Sequence, residues 1–172
     1  MNPKLQVVFQ RRSIRRYQAG AIPASTLQDL LEAATAAPSA CAKDPWHFIV
    51  IHNRETLSCL ADGLPNGQML RDAAAGIAVC GDPVRAHDGQ LSYLLHDCAA
   101  AVENLLVAAS TLGLGACWLG VHPREDRLHH LRSVLGIPGT ILPVAMVALG
   151  QPDEDKPART RYDATRVHNE QW

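Results

Sequence analysis

The sequence predicts an α+β fold in which roughly four short strands alternate with a larger number of helices. Two observations support this prediction: β-rich runs of strand length are present, and the segments between them have the apolar periodicity of helices. A third is size, because 172 residues with 47% hydrophobic content suffice for one domain with a complete core. We therefore expect a single domain over residues 1–172.

Five helices are predicted from apolar periodicity and from helix-ending residues, over residues 3–10, 24–36, 54–60, 91–112 and 124–135. Ser25 and Gln28 have the spacing of a capping box at the start of the second helix, and Gly136 is placed to end the fifth. The fourth helix is apolar on nearly every face, so we expect it to be buried at the domain centre or against another subunit.

Four strands are predicted over residues 46–51, 76–80, 115–119 and 141–149, the last interrupted early by Pro143. Residues 151–172 are polar, contain two prolines and have no period, a composition typical of a disordered tail. The chain nevertheless ends in an apolar and aromatic segment, Val-His-Asn-Glu-Gln-Trp. We therefore expect residues 151–172 to form an extended C-terminal arm that docks on the protein.

Charge and cysteine content limit the class of protein. A net charge of −1 argues against a general nucleic-acid or membrane-surface binder, and no apolar run approaches the length of a membrane span. Five cysteines without a CxxC pair are typical of reduced thiols in the cytoplasm. No metal site is expected, because His129 and His130 are adjacent in a predicted helix and point to different faces.

The segment 11–17, Arg-Arg-Ser-Ile-Arg-Arg-Tyr, is the most basic part of the chain. Arginine forks and a serine hydroxyl suit a phosphate, although by itself the segment is equally well explained as a solvated basic face. Arg159 and Arg161 form a second basic pair, and their i, i+2 spacing in an extended segment places both side chains on one side. If the fold brings the two chain ends together, these groups enclose one dianionic phosphate.

Two further motifs have open interpretations. Residues 36–46 combine small residues with two prolines, which indicates either a rigid helix-to-strand turn or a cradle of backbone groups against a flat ring. Residues 112–120 contain three glycines but no dinucleotide-binding fingerprint, so the glycines favour close packing or contact with a ring. No Ser-His-Asp order and no GxSxG motif is present, and no catalytic side chain is predicted.

Together these motifs resemble the nitroreductase family, collinearly over essentially the whole chain. The resemblance rests on the segment 11–17, on Ala-Pro-Ser at 37–39 leading to Pro-Trp-His-Phe at 45–48, on residues 113–120 and on Gly-Gln-Pro at 150–152. It implies a layered α+β fold with a mostly antiparallel sheet of about four strands. It also implies an intertwined homodimer built on the helix 91–112, with FMN bound at the interface.

The resemblance assigns site residues position by position, in three groups. The phosphate and ribityl chain fall to Arg11, Arg12 and Ser13, with Arg159 and Arg161 closing on the phosphate. A backbone turn against the flavin ring, supplied by the other subunit, falls to Pro38, Ser39 and Ala40. A further flavin-contacting segment is formed by Trp118, Leu119 and Gly120.

The chain departs from the family pattern Pro-Ser-x-x-Asn-x-Gln-Pro-Trp at two positions, Ala42 and Asp44. Ala42 offers only backbone groups where the family has an asparagine amide. Loss of one hydrogen bond worth about 0.5–1.5 kcal/mol predicts FMN binding weaker by roughly threefold to tenfold. Asp44 places a negative charge near the ring, which favours a lower reduction potential, whereas the positive charge of Lys43 acts in the opposite direction, so the sequence leaves the sign of the net change open.

The function implied by the resemblance is that of an FMN-dependent NAD(P)H oxidoreductase. NADH or NADPH passes a hydride to flavin N5, and a small acceptor such as a nitroaromatic or quinone then takes its place, which gives ping-pong kinetics. One alternative is a flavin-binding redox sensor or storage module with little turnover. A second is a structural dimer without flavin. The sequence does not choose between NADH and NADPH.

Overall fold

The computed structural model describes residues 2–172, which form a five-stranded antiparallel sheet with helices on both faces. The helices are α1 (Gln6–Gln10), α2 (Ala24–Thr35), α3 (Arg54–Asp62), α4 (Leu91–Thr111) and α5 (Glu125–Leu135). The strands are β1 (Tyr17–Gln18), β2 (Trp46–Ile51), β3 (Ala75–Gly81), β4 (Gly115–Gly120) and β5 (Leu142–Pro152). The α+β prediction is confirmed.

Strand β5 organises the sheet. It pairs with β3, which pairs in turn with β2, and it also pairs with β4 over Gly115–Gly120. Beyond β4, the last residues of β5 pair with β1, so that Tyr17 faces Pro152. The segment before β1 also touches β4 through a parallel bridge between Ser13 and Ala116. The basic segment 11–17 therefore runs beside β4.

Alternation of side chains along the strands produces two cores. In β3, Ile77 and Val79 belong to the core formed with α2 and α4, whereas Ala78 and Cys80 belong to the core formed with α3 and α5. Helix α4 contributes a fully buried row to the first core that includes Leu94, Cys98, Ala101, Val102 and Leu105. This burial agrees with its lack of a polar face.

Strand β1 and the last part of β5 were not predicted, because Tyr17–Gln18 is very short and Gly-Gln-Pro at 150–152 resembles a turn. The predicted interruption at Pro143 was wrong, since β5 continues through the proline. A register shift between Val79 and Cys80 of β3 lies opposite it. Pairing with neighbouring strands, a tertiary effect, decides both outcomes.

The predicted helix ends were only partly correct. Gly136 ends α5 in the left-handed conformation, with φ 65°, as predicted. The capping box of α2 was wrong, because Pro23 occupies the N-cap position and no side chain caps the helix. Gln28 donates to Glu32 one turn later, at 2.9 Å, and leaves Ser25 without the predicted partner.

The first part of the C-terminal arm lies along the basic segment. The amide of Asp153 donates to the carbonyl of Arg16 at 2.9 Å, and the Glu154 carboxylate accepts from the amide of Arg15 at 2.5 Å. The Arg15 amide, followed by Lys156, holds the pKa of Glu154 below its usual range. The composition of this segment is typical of a disordered tail, but this part of the arm is ordered by its hydrogen bonds to the basic segment.

The remainder of the arm, from residue 160 onward, is exposed. Tyr162 is 73% exposed and Trp172 is fully exposed, although the Trp172 ring stacks on His168 with a centroid distance of 4.3 Å. The predicted docking of the aromatic terminus therefore does not occur on its own protomer. A large apolar surface is left available for a second molecule.

All five cysteines are free thiols, as predicted. Cys41 and Cys59 are exposed, whereas burial raises the pKa of Cys80 to about 11 and that of Cys98 to about 12. The buried thiols thus act as small apolar side chains. None of the helices within residues 2–172 combines the length and apolar character needed to cross a membrane.

Candidate functional site

Four arginines from opposite ends of the chain line one cleft. Arg11, Arg12, Arg159 and Arg161, together with Val8, surround a cavity of about 230 Å³. The structure therefore brings together the two basic groups that the sequence analysis paired. Positive groups clustered around a cavity of this size suit a small polyanion such as a phosphate.

The cleft exists because the arm docks against the N-terminal segment. The amide of Arg159 donates to the carbonyl of Phe9, the next-to-last residue of α1, at 3.1 Å. The Arg12 guanidinium donates to the carbonyl of Pro157 and ties the arm down two residues earlier. These bonds align the second basic pair with the first before any ligand arrives.

The four guanidinium groups differ in freedom. Arg11 Nε lies 3.1 Å from Glu103 Oε1 on α4, so a neighbouring helix holds its orientation. Arg12 is held by Pro157, as described above. The guanidinium groups of Arg159 and Arg161 are exposed and make no ion pair or hydrogen bond with residues 2–172. Half of the cleft is therefore pre-organised and half is free to close on a ligand.

Arg15 and Arg16 of the same basic segment do not line this cleft. Arg16 lies 3.9 Å from Glu154, whereas Arg15 faces a second and larger cavity of about 380 Å³. That cavity, here called the ring cavity, is lined by Arg15, Leu64, Asn66, Gly67, Cys117, Trp118, Leu119, Gly120 and Arg127. The three residues predicted at 118–120 thus line the ring cavity.

Strand β4 gives the ring cavity its shape. Trp118 is 37% exposed, and no heavy atom lies within 4 Å of the position that a Cβ on Gly120 would occupy. A flat ring can therefore approach the backbone of β4 without steric hindrance. Gly115, at the other end of the strand, allows close packing instead, because Ile14 lies directly against it.

Ser13 lies in the chain between Arg11, which lines the cleft, and Arg15, which lines the ring cavity. Its backbone pairs with Ala116 of β4, and its carbonyl accepts a hydrogen bond from Lys156 Nζ at 2.7 Å. Arg11 in the cleft and Arg15 in the ring cavity are four residues apart, a span of about 13 Å for extended chain. Arg11, Ser13 and Arg15 thus define a track beside β4 that leads along the chain from the cleft to the ring cavity, although Ser13 lines neither cavity.

Sequence analysis missed three polar residues of the ring cavity: Arg15, Asn66 and Arg127. A signal for Arg15 was present, because its i, i+2 spacing from Ser13 in an extended segment places the two side chains on one side. Asn66 lies in a loop and Arg127 on α5, and no local pattern links either of them to β4.

The turn predicted to contact a ring has a strained backbone. Cys41, Ala42 and Asp44 all have positive φ, at 51°, 52° and 47°, which is uncommon for residues other than glycine. Ser39 Oγ donates to Asp44 Oδ1 at 2.5 Å and accepts from the Asp44 amide at 3.0 Å. The Asp44 carboxylate is therefore engaged within the turn, and so is the Ser39 hydroxyl.

Helix α4 holds this turn through a buried carboxylate. Asp97 is 4% exposed, and its Oδ1 accepts a hydrogen bond from the Ala40 amide at 2.9 Å. Its Oδ2 is buried without a partner among the described residues. The backbone is thus fixed to the central helix at Ala40, the residue just before the first strained position.

Replacing Asp97 tests whether this bond fixes the turn. We expect Asp97→Ala to lower the free energy of unfolding by about 1–3 kcal/mol, because the half-buried Ala40 amide loses its acceptor. Asp97→Asn keeps an oxygen at that position, so its loss should be clearly smaller. Urea denaturation measures both changes. Equal losses in the two variants would show that the bond to Ala40 does not stabilise the fold.

The turn lines neither cavity of its own protomer. Pro38, Ser39, Ala40 and Ala42 are absent from the walls of both the arginine cleft and the ring cavity. The resemblance assigns this turn to the ring site of the other subunit.

Comparison with known proteins gives consistent matches. The family model described as the nitroreductase family matches residues 8–64 and 60–151. A relative from Archaeoglobus fulgidus, provisionally named NADH dehydrogenase/NAD(P)H nitroreductase, is 42% identical over 175 residues and covers 100% of both chains. A crystal structure from Parabacteroides distasonis with the same provisional name matches with a TM-score of 0.93 and 33% identity, again over 100% of both chains.

A further solved structure carries a ligand. It is provisionally named a nitroreductase from Desulfovibrio desulfuricans and was determined in complex with FMN. It matches with a TM-score of 0.84 and 30% identity, covering 100% of this chain and 99% of the other.

Proposed function

The chain belongs to the nitroreductase family, and from this we propose that it is an FMN-dependent NAD(P)H oxidoreductase. The observation that carries the proposal is the track beside β4, along which Arg11 of the arginine cleft, Ser13 and Arg15 of the ring cavity follow one another. FMN has its dianionic phosphate at one end, a flexible ribityl chain in the middle and a flat ring at the other. The residues present therefore fit FMN in the order in which the track presents them.

At the phosphate end, Arg11, Arg12, Arg159 and Arg161 would hold the dianion. Charge-assisted bonds from guanidinium groups are among the strongest in proteins, and several of them converge here. The pairing of Arg11 with Glu103 orients one donor, while the two exposed arm residues complete the set after the ligand enters. The basic segment next to α1 therefore binds an anion and is more than a solvated face.

At the ring end, Trp118 and Gly120 would support one face of the isoalloxazine, and Arg15 would stabilise the negative charge of its reduced form. When bound, FMN supplies the redox chemistry, by accepting a hydride from NADH or NADPH and passing two electrons to an acceptor. The protein then has to bind, orient and exclude water. The absence of a recognisable catalytic triad in the sequence agrees with this division.

We propose further that the active form is a homodimer, in which residues 38–42 of the partner subunit complete the ring site. Two groups of exposed apolar side chains support this. The first lies on or next to α1 and the second on the arm: Leu5, Val7 and Val8, and Tyr162, Val167 and Trp172. Five free cysteines are typical of a protein of the cytoplasm, where we place it.

Ala42 supports a second candidate function, a flavin-binding redox sensor or store with little turnover. It has no side-chain amide to offer the ring, so an interaction that the family pattern provides is missing. Asp44 contributes less to this alternative than its charge suggests, because Ser39 already engages its carboxylate. Nitroaromatics and quinones are the acceptors that we propose for the oxidoreductase.

Rapid mixing with reduced nicotinamide distinguishes the two functions. We expect the FMN-loaded protein to lose its visible flavin absorbance when mixed anaerobically with excess NADH or NADPH, and to recover it on addition of a quinone. Stopped-flow absorbance measures both steps, with free FMN at the same concentration as the control. Flavin that stays oxidised with both nucleotides would contradict the oxidoreductase and favour the store.

A further inference from the structure

Arg127 is the charged residue of the ring cavity to which the proposed function gives no role. It lies in the first turn of α5, and its Nη1 donates to the carbonyl of Gly120, the last residue of β4, at 2.6 Å. Its Nε is buried without an acceptor among the described residues. The acidic neighbour Asp126 does not neutralise it, since that carboxylate lies 3.7 Å from Arg124 instead.

The position of Arg127 separates it from the phosphate end of the track. Arg15 lies beside Cys117 on β4, close enough to oppose the rise in the pKa of the thiol that burial causes. Arg127 is bound to Gly120, three residues further along the strand and thus about 10 Å away. Ser13 meets β4 at Ala116, so the order along the strand is Ser13, Arg15 and then Arg127.

The charged side chains that line the ring cavity are all positive. Two guanidinium groups line it, at separate positions along β4, and no carboxylate is among its lining residues. Its only other polar side chains are those of Asn66, Cys117 and Trp118. A cavity that has Trp118 and Leu119 in its wall and a fixed positive group at its far end attracts flat molecules that carry a negative charge.

From this geometry we infer that Arg127 selects for an oxyanion, a carboxylate or phosphate, on the molecule that exchanges electrons at the ring cavity. The inference rests on the proposed function for the identity of the site, and it adds the chemical class of its substrate. A guanidinium already fixed by Gly120 loses little freedom when it binds an oxyanion. The oxyanion belongs either to the electron acceptor or to the nicotinamide donor, and the two sources can be separated by experiment.

The acceptor arm compares 4-nitrobenzoate with 4-nitrobenzyl alcohol, which differ mainly in charge. We expect Arg127→Gln to lower the ratio of kcat/KM for the anion to kcat/KM for the neutral compound by about tenfold or more. The donor arm compares the rates of flavin reduction by NADPH and NADH, which differ by one phosphate. A tenfold fall in either ratio supports the inference. A fall in the first ratio assigns the oxyanion to the acceptor, and a fall in the second assigns it to the nicotinamide donor.

Arg124→Gln is the matched control, because Arg124 is adjacent to the same helix start, is exposed and does not line the cavity. It should leave both ratios within about twofold of wild type. Arg127→Lys keeps the positive charge and should restore part of the lost ratio. If Arg127→Gln also leaves both ratios within about twofold, Arg127 only supports Gly120 and the inference is overturned.

A binding measurement keeps this result independent of turnover. Calorimetric titrations of the FMN-loaded protein with 4-nitrobenzoate and with NADP+ should show, for at least one of the two, affinity at least about tenfold weaker in Arg127→Gln than in wild type. If nicotinamide fails to reduce the flavin but this difference is present, the proposed function fails and the anion site stands. If reduction proceeds and no difference appears in any measurement, only the anion site fails.

Discussion

Replacing Arg159 and Arg161 together by alanine is expected to lower the affinity for FMN at least about a hundredfold. Each guanidinium removed takes away a charge-assisted bond worth about 1.5–3 kcal/mol, and a loss of about 3 kcal/mol or more corresponds to a factor above one hundred. The two residues suit this test because their side chains have no partner elsewhere in residues 2–172. The bond from the Arg159 amide to Phe9 remains, so the arm should stay docked.

Quenching of flavin fluorescence on binding measures this loss directly. Arg166→Ala is the control, because Arg166 lies on the same arm but pairs with Asp163 at 3.3 Å and does not line the cleft. It should bind FMN as wild type does. Unchanged FMN affinity in the double variant would remove the arm from the phosphate site.

Arg11 and Arg12 are less suitable targets, although they line the same cleft. Arg11→Ala leaves Glu103 unpaired beside the cleft, and Arg12→Ala also frees the carbonyl of Pro157, which belongs to the arm. A loss of flavin in either variant would therefore combine a direct effect with a structural one. The double replacement on the arm avoids this ambiguity.

Removal of residues 162–172 is expected to weaken the proposed homodimer at least about a hundredfold. Tyr162, Val167 and Trp172 are exposed on the single protomer, and burying aromatic side chains of 150–250 Å² against a second copy stabilises association by about 4–6 kcal/mol each at about 25 cal/mol per Å². The loss of conformational freedom when the arm becomes ordered cancels part of this gain. We therefore expect a smaller effect than the buried area alone implies, of at least about a hundredfold. Because these residues make few contacts with their own protomer, the truncated chain should still fold.

Sedimentation equilibrium over a range of protein concentrations measures the dimer dissociation constant. Circular dichroism of the truncated chain, which keeps Arg159 and Arg161, checks that its secondary structure is intact. We also expect weaker FMN binding, because the ring site would lose the turn that, in our proposal, the partner subunit supplies. Equal dissociation constants for the two chains, or a wild-type protein that is monomeric throughout, would contradict the role of the arm.

The sequence predicted those parts of the fold that have a local signal. Periodicity located all five helices, because α2 to α5 bury apolar side chains and α1, although none of its residues is buried, has Val8 and Phe9 in its short apolar pattern. Strand β1 has only two residues and exists because the end of β5 lies beside it. Ser25 and Gln28 had the spacing of a capping box, but the preceding proline occupies the N-cap position instead. Local sequence patterns predict such strands and caps, but tertiary contacts determine whether they form.

In the candidate site, too, some features could be predicted from the sequence and others could not. Pairing of the two basic groups was predictable, since residues at 11–12 and at 159–161 share one unusual property, an excess of arginine. The docking of the arm was not, because it depends on single bonds such as the one from Lys156 to the Ser13 carbonyl. Arg127 reaches the ring cavity from a helix with an ordinary polar face, and only the position of α5 beside β4 reveals it.

The central claim is that the arginine cleft holds the phosphate of FMN, and comparison with riboflavin tests it most directly. Riboflavin has the same ring and ribityl chain but lacks the phosphate, so any difference in affinity reports on the cleft. We predict that the wild-type protein binds FMN at least about a hundredfold more tightly than riboflavin, and that Arg159→Ala/Arg161→Ala removes most of this difference. Equal affinities of the wild-type protein for the two flavins would contradict the account.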